Sequence, residues 1–435
     1  MMPADTKKLS LVGSVSLGTG VMIGAGIFAL VGQVSEIAGR WMPAAFLAGA
    51  IVIGFSAYSY VRYSSTHHSS GGIAMLLKSA YGPGVVAGSF SLFMYVSMVV
   101  AESLLARTFG TYALRPFGLQ GSVVLVPVLG VLAIVAAALV NLFGNRLVER
   151  SATVTAALKI FGIAALAIAG IIAAGWSSLV NSLQGQGGDS GPDGQGLLGF
   201  LAGTTLCILA YKGFTTITNQ GDDVREPNKN IGRSITISIL LCAVLYFLLT
   251  VAVAGSLSVS EIIESRDYAL AAAAEPLFGV WGTNLTIALA IVATLSGLLA
   301  SIYSVSRLYD MLSGMGQAPK LPSGIKHQSL VITAGLAIII TIFFDLSQIA
   351  SMGALLYLTM DIAIHWGIIR HLKEEVSAKR WVPGMAIALD VIVILAFVIS
   401  KLRSDPLTLV VSVSLGGVIF LTQWITVKHR KPQDS

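Results

Sequence analysis

Residues 18–28 read GTGVMIGAGIF, and this glycine-rich run lies inside an apolar stretch that covers residues 9–32. A mostly apolar stretch of about 20 residues is long enough to cross a bilayer as a helix. Glycine inside a helix costs roughly 1 kcal/mol relative to alanine, so the glycines need an explanation. Gly20 and Gly24 have the spacing of a close helix–helix contact, and the alternative is a broken transmembrane helix that binds a charged ligand.

The composition of the chain also indicates a membrane protein. Of its 435 residues, 55% are hydrophobic and 11% are charged, and the mean hydropathy is +0.82. Since a soluble domain carries about 25% charged residues, this chain has too few to cover a globule in water. Cys207 and Cys242 lie inside apolar runs, which excludes a disulfide scaffold.

Twelve stretches have the length and composition of membrane-spanning helices. They cover residues 9–32, 43–63, 85–113, 123–143, 154–175, 199–220, 232–255, 282–306, 329–345, 347–369, 383–400 and 406–427. We therefore predict an all-α integral membrane protein that forms a single membrane domain over residues 1–435. The first stretch lacks the features of a cleaved signal peptide and is predicted to remain as the first helix.

Positive charge is distributed unevenly between the two sides of the membrane. With the N-terminus placed inside, nineteen Lys and Arg residues fall in the inner segments and six at the outer ends of the spans. Cytoplasmic loops are enriched in these residues, so we expect both termini in the cytoplasm. The net charge of +6 then reflects topology and gives no indication of nucleic-acid binding.

The sixth span carries an interruption like that of the first. In CILAYKGFTTITN, residues 207–219, Lys212 and Gly213 lie in mid-span. A flexible Gly- and Ser-rich connection at 176–198 separates two groups of five helices, and each interruption falls in the first helix of its group. Breaks at matching positions of two halves indicate the midplane site of a transporter built from inverted repeats. The predicted units are residues 9–175, residues 199–369 and two additional helices at 383–427.

Several ionizable residues lie inside predicted spans, where a charge at the helix centre costs about 2.5–3.5 kcal/mol. They are Glu102, Lys159, Lys212, Asp361, His365 and Asp390. Lys159 follows Arg150 by nine residues, which places it about 13 Å from the inner surface and close to the midplane. Desolvation favours the neutral amine, so Lys159 is our candidate for a residue that loads and releases a proton. The alternative is a lysine that extends to the inner headgroups.

The other charges in the spans have more than one interpretation. Four roles are open for Lys212. It binds a substrate carboxylate, it disfavours cationic substrates, it pairs with Glu102 or Asp361, or it faces a water-filled vestibule without a ligand. Asp361 and His365 are four residues apart on one helix face and form either an ion pair or a proton relay. A metal site would need further ligands, so we expect none. Asp390 lies outside the ten-helix core, and we interpret it as structural.

Three motifs resemble those of the amino acid, polyamine and organocation transporter superfamily. They are VMIGAGIF at 21–28, YKGFTTITNQGDDVREPNKNI at 211–231 and RLYDMLSGMGQAPKLP at 307–322. Their pattern is similar to that of prokaryotic proton-coupled amino acid transporters, which share the glycine break, the Gly-Phe pair in helix 6 and a lysine in helix 5. The resemblance implies an inverted five-plus-five core with broken helices 1 and 6 and two additional helices. Lys212 is a departure, because the family usually has an apolar residue there.

The resemblance also implies a substrate site made largely of main chain. The substrate carboxylate is expected at the amides of Ala25, Gly26 and Ile27. The substrate ammonium is expected at the carbonyls of Ile23 and of Leu209, Ala210 or Gly213. Selectivity is expected from Ile208, Tyr211, Lys212 and Phe214. The lysine of helix 5 contacts helices 1 and 8 in this family, which implies contacts of Lys159 with the carbonyls of Gly20 and Val21 and with Ser296.

The sequence thus predicts a secondary transporter of a prokaryotic inner membrane, with an amino acid and protons as its ligands and no obligatory protein partner. Proton-coupled symport is the main prediction. An exchanger of an amino acid for its decarboxylated amine or for another amino acid is the alternative. A membrane enzyme or a passive channel would need a catalytic constellation or a continuous polar pore. The chain has no nucleotide-binding motif, nucleophile elbow or zinc signature, so we expect no enzymatic activity and no cofactor.

Overall fold

The computed structural model describes residues 8–67, 72–142, 145–175, 180, 196–219, 221–319 and 326–429. Within these ranges the regular structure is helical, apart from an isolated β-bridge that pairs Leu9 with Val224. The all-helical part of the predicted fold is therefore confirmed. Most of the connection at 176–198, which the sequence predicts to be flexible, lies outside the described residues.

The helices fall into two series, one before and one after that connection. The first series comprises α1 (Leu11–Ala25), α2 (Ile27–Ala38), α3 (Met42–Thr66), α4 (Gly72–Tyr81), α5 (Val85–Leu114), α6 (Leu125–Leu142) and α7 (Asn145–Ala174). The second series comprises α8 (Gly196–Tyr211), α9 (Thr215–Thr218), α10 (Pro227–Ser256), α11 (Val259–Glu264), α12 (Ala269–Gly314), α13 (Gln328–Phe343), α14 (Leu346–Gly367), α15 (Trp381–Ser404) and α16 (Pro406–His429). Each of the twelve predicted stretches coincides with one or two of these helices.

The length and surface of the helices are those of a multi-pass membrane protein. Ten helical segments of the described chain are long and apolar enough to cross a membrane, and α1 and α13 are shorter apolar helices. Large apolar side chains cover the outside of the bundle. Phe161, Ile172 and Val413, for example, are each about three quarters exposed, which suits helices that face lipid.

α8 and α14 lie at the centre of the helix bundle, and α16 lies at its edge. In the most apolar 18 residues of the segments that contain α8 and α14, 78% of the residues are buried. In the most apolar 18 residues of α16, 22% are buried. α1 packs against α7, α10 and α12, and α8 packs against α2, α3 and α15. The two helices that the sequence predicts to be broken are therefore surrounded by protein.

Some helical features differ from the sequence prediction. α4 and α11 are additional short helices outside the predicted spans. α12 begins at Ala269, well before the predicted span at 282–306, and Gly279 has φ 61° within it, so the chain bends sharply there. Hydropathy detects the lipid-crossing part of a helix, which is why it misses a half-buried helix outside the spans and an extension beyond one of them.

Candidate functional site

The predicted break in the first span is a kink at one residue. α1 ends at Ala25, α2 begins at Ile27, and Gly26 lies between them with φ −82° and ψ −72°. The Gly26 amide donates to the Met22 carbonyl at 2.8 Å, and the Leu30 amide donates to the Gly26 carbonyl at 3.0 Å. The predicted free amide at Gly26 is therefore wrong for this conformation, because helical hydrogen bonding continues into the kink.

The predicted break in the sixth span is a short 3₁₀ segment, Lys212–Phe214, between α8 and α9. This segment contacts the first break. A Cβ atom on Gly213 would lie 2.7 Å from the Met22 nitrogen. A Cβ atom on Gly26 would lie 2.9 Å from the Ala210 carbonyl oxygen. Side chains do not fit at such distances, so glycine at both positions lets the two breaks pack against each other.

The paired glycines of α1 have two different surroundings. A Cβ atom on Gly24 would lie 2.9 Å from the Ala293 carbonyl oxygen of α12, so Gly24 provides the close helix–helix contact that its spacing predicts. Gly20 faces α7 instead, and a Cβ atom there would lie 3.8 Å from the Lys159 amine. Helix packing therefore explains the glycine at position 24, whereas Gly20 lies beside the buried amine of Lys159.

Lys159 lies on α7 with 1% of its surface exposed. Its Nζ donates to the Gly20 carbonyl at 2.8 Å, which is one of the contacts that the resemblance implies. A lysine that extends to the headgroups is excluded, because the amine ends at this carbonyl. The Ser296 hydroxyl donates to carbonyls of its own helix. Among the residues that the structure describes, no hydrogen bond joins Lys159 to Ser296 or to Val21.

Lys212 extends from the second break to α5. Its Nζ donates to the Ser97 carbonyl at 2.7 Å and to the Ser97 hydroxyl at 2.6 Å. It also lies 5.6 Å from the centre of the Tyr357 ring. In the described part of the chain Lys212 forms no ion pair with Glu102 or Asp361, so neither predicted pairing is formed. Glu102 lies within electrostatic range of Lys212 without contacting it.

A narrow cavity lies where the two breaks face α5 and α12. Residues that the resemblance implies contribute to its lining, namely Val21, Leu209, Ala210, Lys212 and Gly213. The lining also contains residues that the sequence analysis missed, namely Met22, Met98, Ala101, Leu104, Thr215, Thr216 and Ser301. These side chains are uncharged and occur throughout the chain, so no signal in the sequence distinguishes them. The cavity brings both breaks and one cation together.

Other residues implied for the site are buried but do not line this cavity. They are Ile23, Gly26, Ile27, Ile208, Tyr211 and Phe214. The Tyr211 hydroxyl donates to the Phe46 carbonyl at 3.1 Å, and the rings of Phe214 and Tyr60 pack edge to face at 5.2 Å. These contacts hold α8 and the second break against α3.

Charged contacts join the helices at both ends of the bundle. At the end where α1 begins, the Arg307 guanidinium donates to the Asp223 carboxylate at 3.1 Å. At the end where α2 finishes, Arg266 forms an ion pair with Glu36. One contact therefore lies near the start of the first predicted span and the other near its end.

Asp267 lies beside Arg266 in the connection between α11 and α12. Its Oδ1 accepts a hydrogen bond from Gln33 Nε2 at 2.8 Å. Burial raises the pKa of the Asp267 carboxyl above its ordinary value, although the charge of Arg266 opposes this shift. The folded protein therefore holds this proton more tightly than the unfolded chain. The contribution of Asp267 to stability is present at low pH and is lost as the pH rises through the folded pKa.

We expect Asp267→Asn to raise the Tm at pH 7.5 by about 2 °C, a shift that corresponds to roughly 1 kcal/mol. The amide is neutral and keeps the acceptor for Gln33, so it avoids burial of a charge. The gain should shrink as the pH falls through the folded pKa of Asp267 and disappear below it, where the wild-type carboxyl is protonated. Thermal unfolding in detergent measures both values, with Glu264→Gln as a control on α11. An unchanged or lower Tm at pH 7.5 would contradict this account of Asp267.

Comparison with known proteins identifies the family. A profile of the amino acid permeases matches residues 9–422. This chain belongs to the amino acid permease family. The permease is 30% identical to the inner membrane transport protein YbaT of Escherichia coli over 404 residues, which cover 91% of this chain and 90% of that relative. The resemblance noted in the sequence is thereby confirmed, and the chain is a transporter and not an enzyme.

Two further relatives of the permease come from an archaeon and a plant. An uncharacterized protein of Methanocaldococcus jannaschii is 27% identical over 387 residues, which cover 87% of this chain and 86% of that relative. The vacuolar cationic amino acid transporter 4 of Arabidopsis thaliana is 26% identical over 392 residues, which cover 85% of this chain and 64% of that relative. The similarity to each thus extends over most of the permease.

Proposed function

We propose that this permease transports amino acids together with protons by alternating access. The proposed fold has two inverted five-helix groups, 9–175 and 199–369, followed by two additional helices at 383–427, with both termini in the cytoplasm. The position of the two breaks supports this fold, because each break lies in the first helix of its group and contacts the other break. The substrate binds in the cavity where the breaks meet.

The observation that carries the proton coupling is the hydrogen bond from the buried Lys159 amine to the Gly20 carbonyl. A protonated amine makes a charge-assisted hydrogen bond, which is about twice as strong as a neutral one. Loss of the proton weakens the connection between α7 and α1, six residues before the kink at Gly26. The protonated lysine therefore holds α1 in place, and the neutral lysine releases it to move.

The lining of the cavity favours a small or apolar amino acid. Most of its side chains are apolar, and Lys212 is its one cation among the described residues. A positive charge here attracts the substrate carboxylate and repels a cationic side chain. Because the Gly26 amide is already engaged, Lys212 is the stronger candidate for the group that meets the carboxylate. The Arabidopsis relative is a cationic amino acid transporter by name, and Lys212 argues for a different substrate in this permease.

We expect Lys212→Met to increase the uptake of arginine and lysine relative to alanine by about 30-fold. Repulsion between two charges about 8 Å apart amounts to roughly 2 kcal/mol at an effective dielectric constant of about 20, and 1.4 kcal/mol corresponds to tenfold. Competition with labelled alanine in proteoliposomes measures the ratio. Lys229→Met, which removes an exposed lysine, is the control. An unchanged ratio in Lys212→Met would refute the selective role.

Net uptake into proteoliposomes distinguishes symport from exchange. The vesicles contain no amino acid, and the inside is made alkaline relative to the outside. Symport predicts that a labelled amino acid accumulates and that a protonophore abolishes the accumulation. An exchanger takes up label only after the vesicles are preloaded with unlabelled substrate, and this result would overturn the proposed proton coupling. A thermal-shift screen against amino acids and amines at two pH values identifies the substrate beforehand.

A further inference from the structure

Three buried side chains with metal-binding atoms meet at the contact of α14 and α15. Asp361 and His365 lie on α14, and Asp390 lies on α15. His365 Nε2 is 3.3 Å from Asp361 Oδ2 and 3.8 Å from Asp390 Oδ2. All three side chains have no exposed surface. We call these residues the carboxylate–histidine cluster. It is separate from the cavity between the two breaks.

Polar atoms of this cluster lack hydrogen bonds. Within the described chain, His365 Nε2 and both carboxylate oxygens of Asp390 have no hydrogen-bond partner. Buried polar atoms are nearly always paired, and a buried carboxylate without a partner is costly. Three unpaired atoms that face one another therefore indicate a ligand that all of them contact.

Hydroxyl groups of α3 fix the orientation of the cluster. Ser59 Oγ lies 2.8 Å from His365 Nδ1. If this nitrogen donates its proton to Ser59, the lone pair of Nε2 is directed at the two carboxylates. Ser56 Oγ donates to Asp361 Oδ2 at 2.6 Å, and the Tyr60 hydroxyl donates to Asp361 Oδ1. Metal-binding histidines and carboxylates are held by such outer partners.

We propose that Asp361, His365 and Asp390 bind one divalent transition-metal ion of the Zn²⁺ type. In a tetrahedral site with metal–ligand distances of about 2.0–2.1 Å, neighbouring ligand atoms lie about 3.3 Å apart. The distances from His365 Nε2 to the two carboxylates are close to this value. One ion of charge +2 also balances the two carboxylates, which removes the cost of burying them unpaired.

The donor set favours a transition metal over calcium or magnesium. Ca²⁺ takes six to eight oxygen ligands, and Mg²⁺ requires octahedral oxygen coordination. The cluster offers one imidazole nitrogen and two carboxylates, which suits Zn²⁺ with a fourth position for water. The sequence predicts no metal site because Asp361 and His365 supply only two ligands on one helix face. Packing of α15 supplies Asp390 as the third.

The position of the cluster gives the ion a structural role. Asp361 is bound by Tyr60, and the Tyr60 ring packs on Phe214 of the second break. A bound ion therefore connects α14 to α15 and stabilises the surface of α3 on which the second break rests. In this role the ion stays bound to the cluster and is not transported.

Cobalt binding tests this proposal with a readout that is independent of transport. The permease is produced in medium with Co²⁺, purified without chelator, incubated with Co²⁺ again and desalted. We expect about one Co²⁺ per chain by mass spectrometry of the metal, with the visible d–d absorption of a four- or five-coordinate site. Asp390→Asn and His365→Gln should each lose the ion and its absorption. His371→Gln removes an exposed histidine near the same end of α14 and should retain both.

Two results would overturn the proposal. The first is a monodisperse wild-type permease that retains less than about 0.1 Co²⁺ per chain, which would mean that protons alone neutralise the cluster. The second is equal retention by wild type and Asp390→Asn, which would place the ion elsewhere. Because wild type alone decides the first result, poor folding of a variant does not leave the question open.

Discussion

Lys159→Ala is expected to reduce uptake driven by a pH gradient by about 100-fold. The substitution removes the amine that donates to the Gly20 carbonyl, and a buried hydrogen bond to a charged group contributes about 1.5–3 kcal/mol. The variant has no proton to load at this position, so the gradient no longer drives the movement of α1. Initial rates in proteoliposomes, with wild type and variant reconstituted in equal amounts, measure the effect.

Two matched variants separate proton transfer from packing at this position. Lys159→Arg keeps a positive charge but cannot lose its proton at any accessible pH, so it should also fail in proton-driven uptake. Ser296→Ala should transport like wild type, because the Ser296 hydroxyl bonds only its own helix among the described residues. A thermal shift with substrate should persist in Lys159→Ala. Proton-driven uptake at the wild-type rate in Lys159→Ala would refute the role of this lysine.

Gly26→Val is expected to abolish uptake, because the added side chain disrupts the contact between the two breaks. A Cβ atom at Gly26 would lie 2.8 Å from the Met22 carbonyl oxygen and 2.9 Å from the Ala210 carbonyl oxygen, and neither main-chain atom moves easily. Overpacking of this kind costs about 1–3 kcal/mol, and valine adds two further methyl groups. We expect a loss of more than about 30-fold in initial uptake rate, together with a lower Tm.

Other glycine variants provide the controls for Gly26→Val. A Cβ atom at Gly335 or at Gly54 meets no atom within 4 Å, so Gly335→Ala and Gly54→Ala should transport like wild type. Gly26→Ala should show an intermediate loss. If Gly26→Val retained the wild-type rate at the wild-type protein level, the contact between the breaks would not limit transport.

Much of the fold could be predicted because lipid imposes a strong constraint on the sequence. Each of the twelve apolar stretches coincides with helices, and the apolar run around Lys159 is enough to place that residue deep in its span. The family resemblance then implied the contact with Gly20, which the structure contains. These predictions depend on periodicity along one chain, on burial and on known relatives. They do not depend on the detailed register of one helix against another.

The contacts that the sequence does not reveal depend on that register. Pairing with Glu102 or Asp361 is one of four interpretations that the sequence leaves open for Lys212, and in the structure Lys212 instead donates to both oxygens of Ser97. A serine in an apolar helix carries no signal that it will accept from a lysine. Asp390 lies on a helix outside the predicted ten-helix core, and only the packing of α15 on α14 shows that it comes within 3.8 Å of His365. Such neighbours become visible only when the helices are packed together.

Proton entry during substrate uptake tests the proton-coupled mechanism most directly. Wild-type permease is reconstituted in vesicles that contain a trapped pH-sensitive dye, no amino acid and a clamped membrane potential. Addition of the amino acid should acidify the vesicle interior, and Lys159→Ala should give no acidification. Uptake without acidification, or uptake only into preloaded vesicles, would contradict the proton-coupled mechanism.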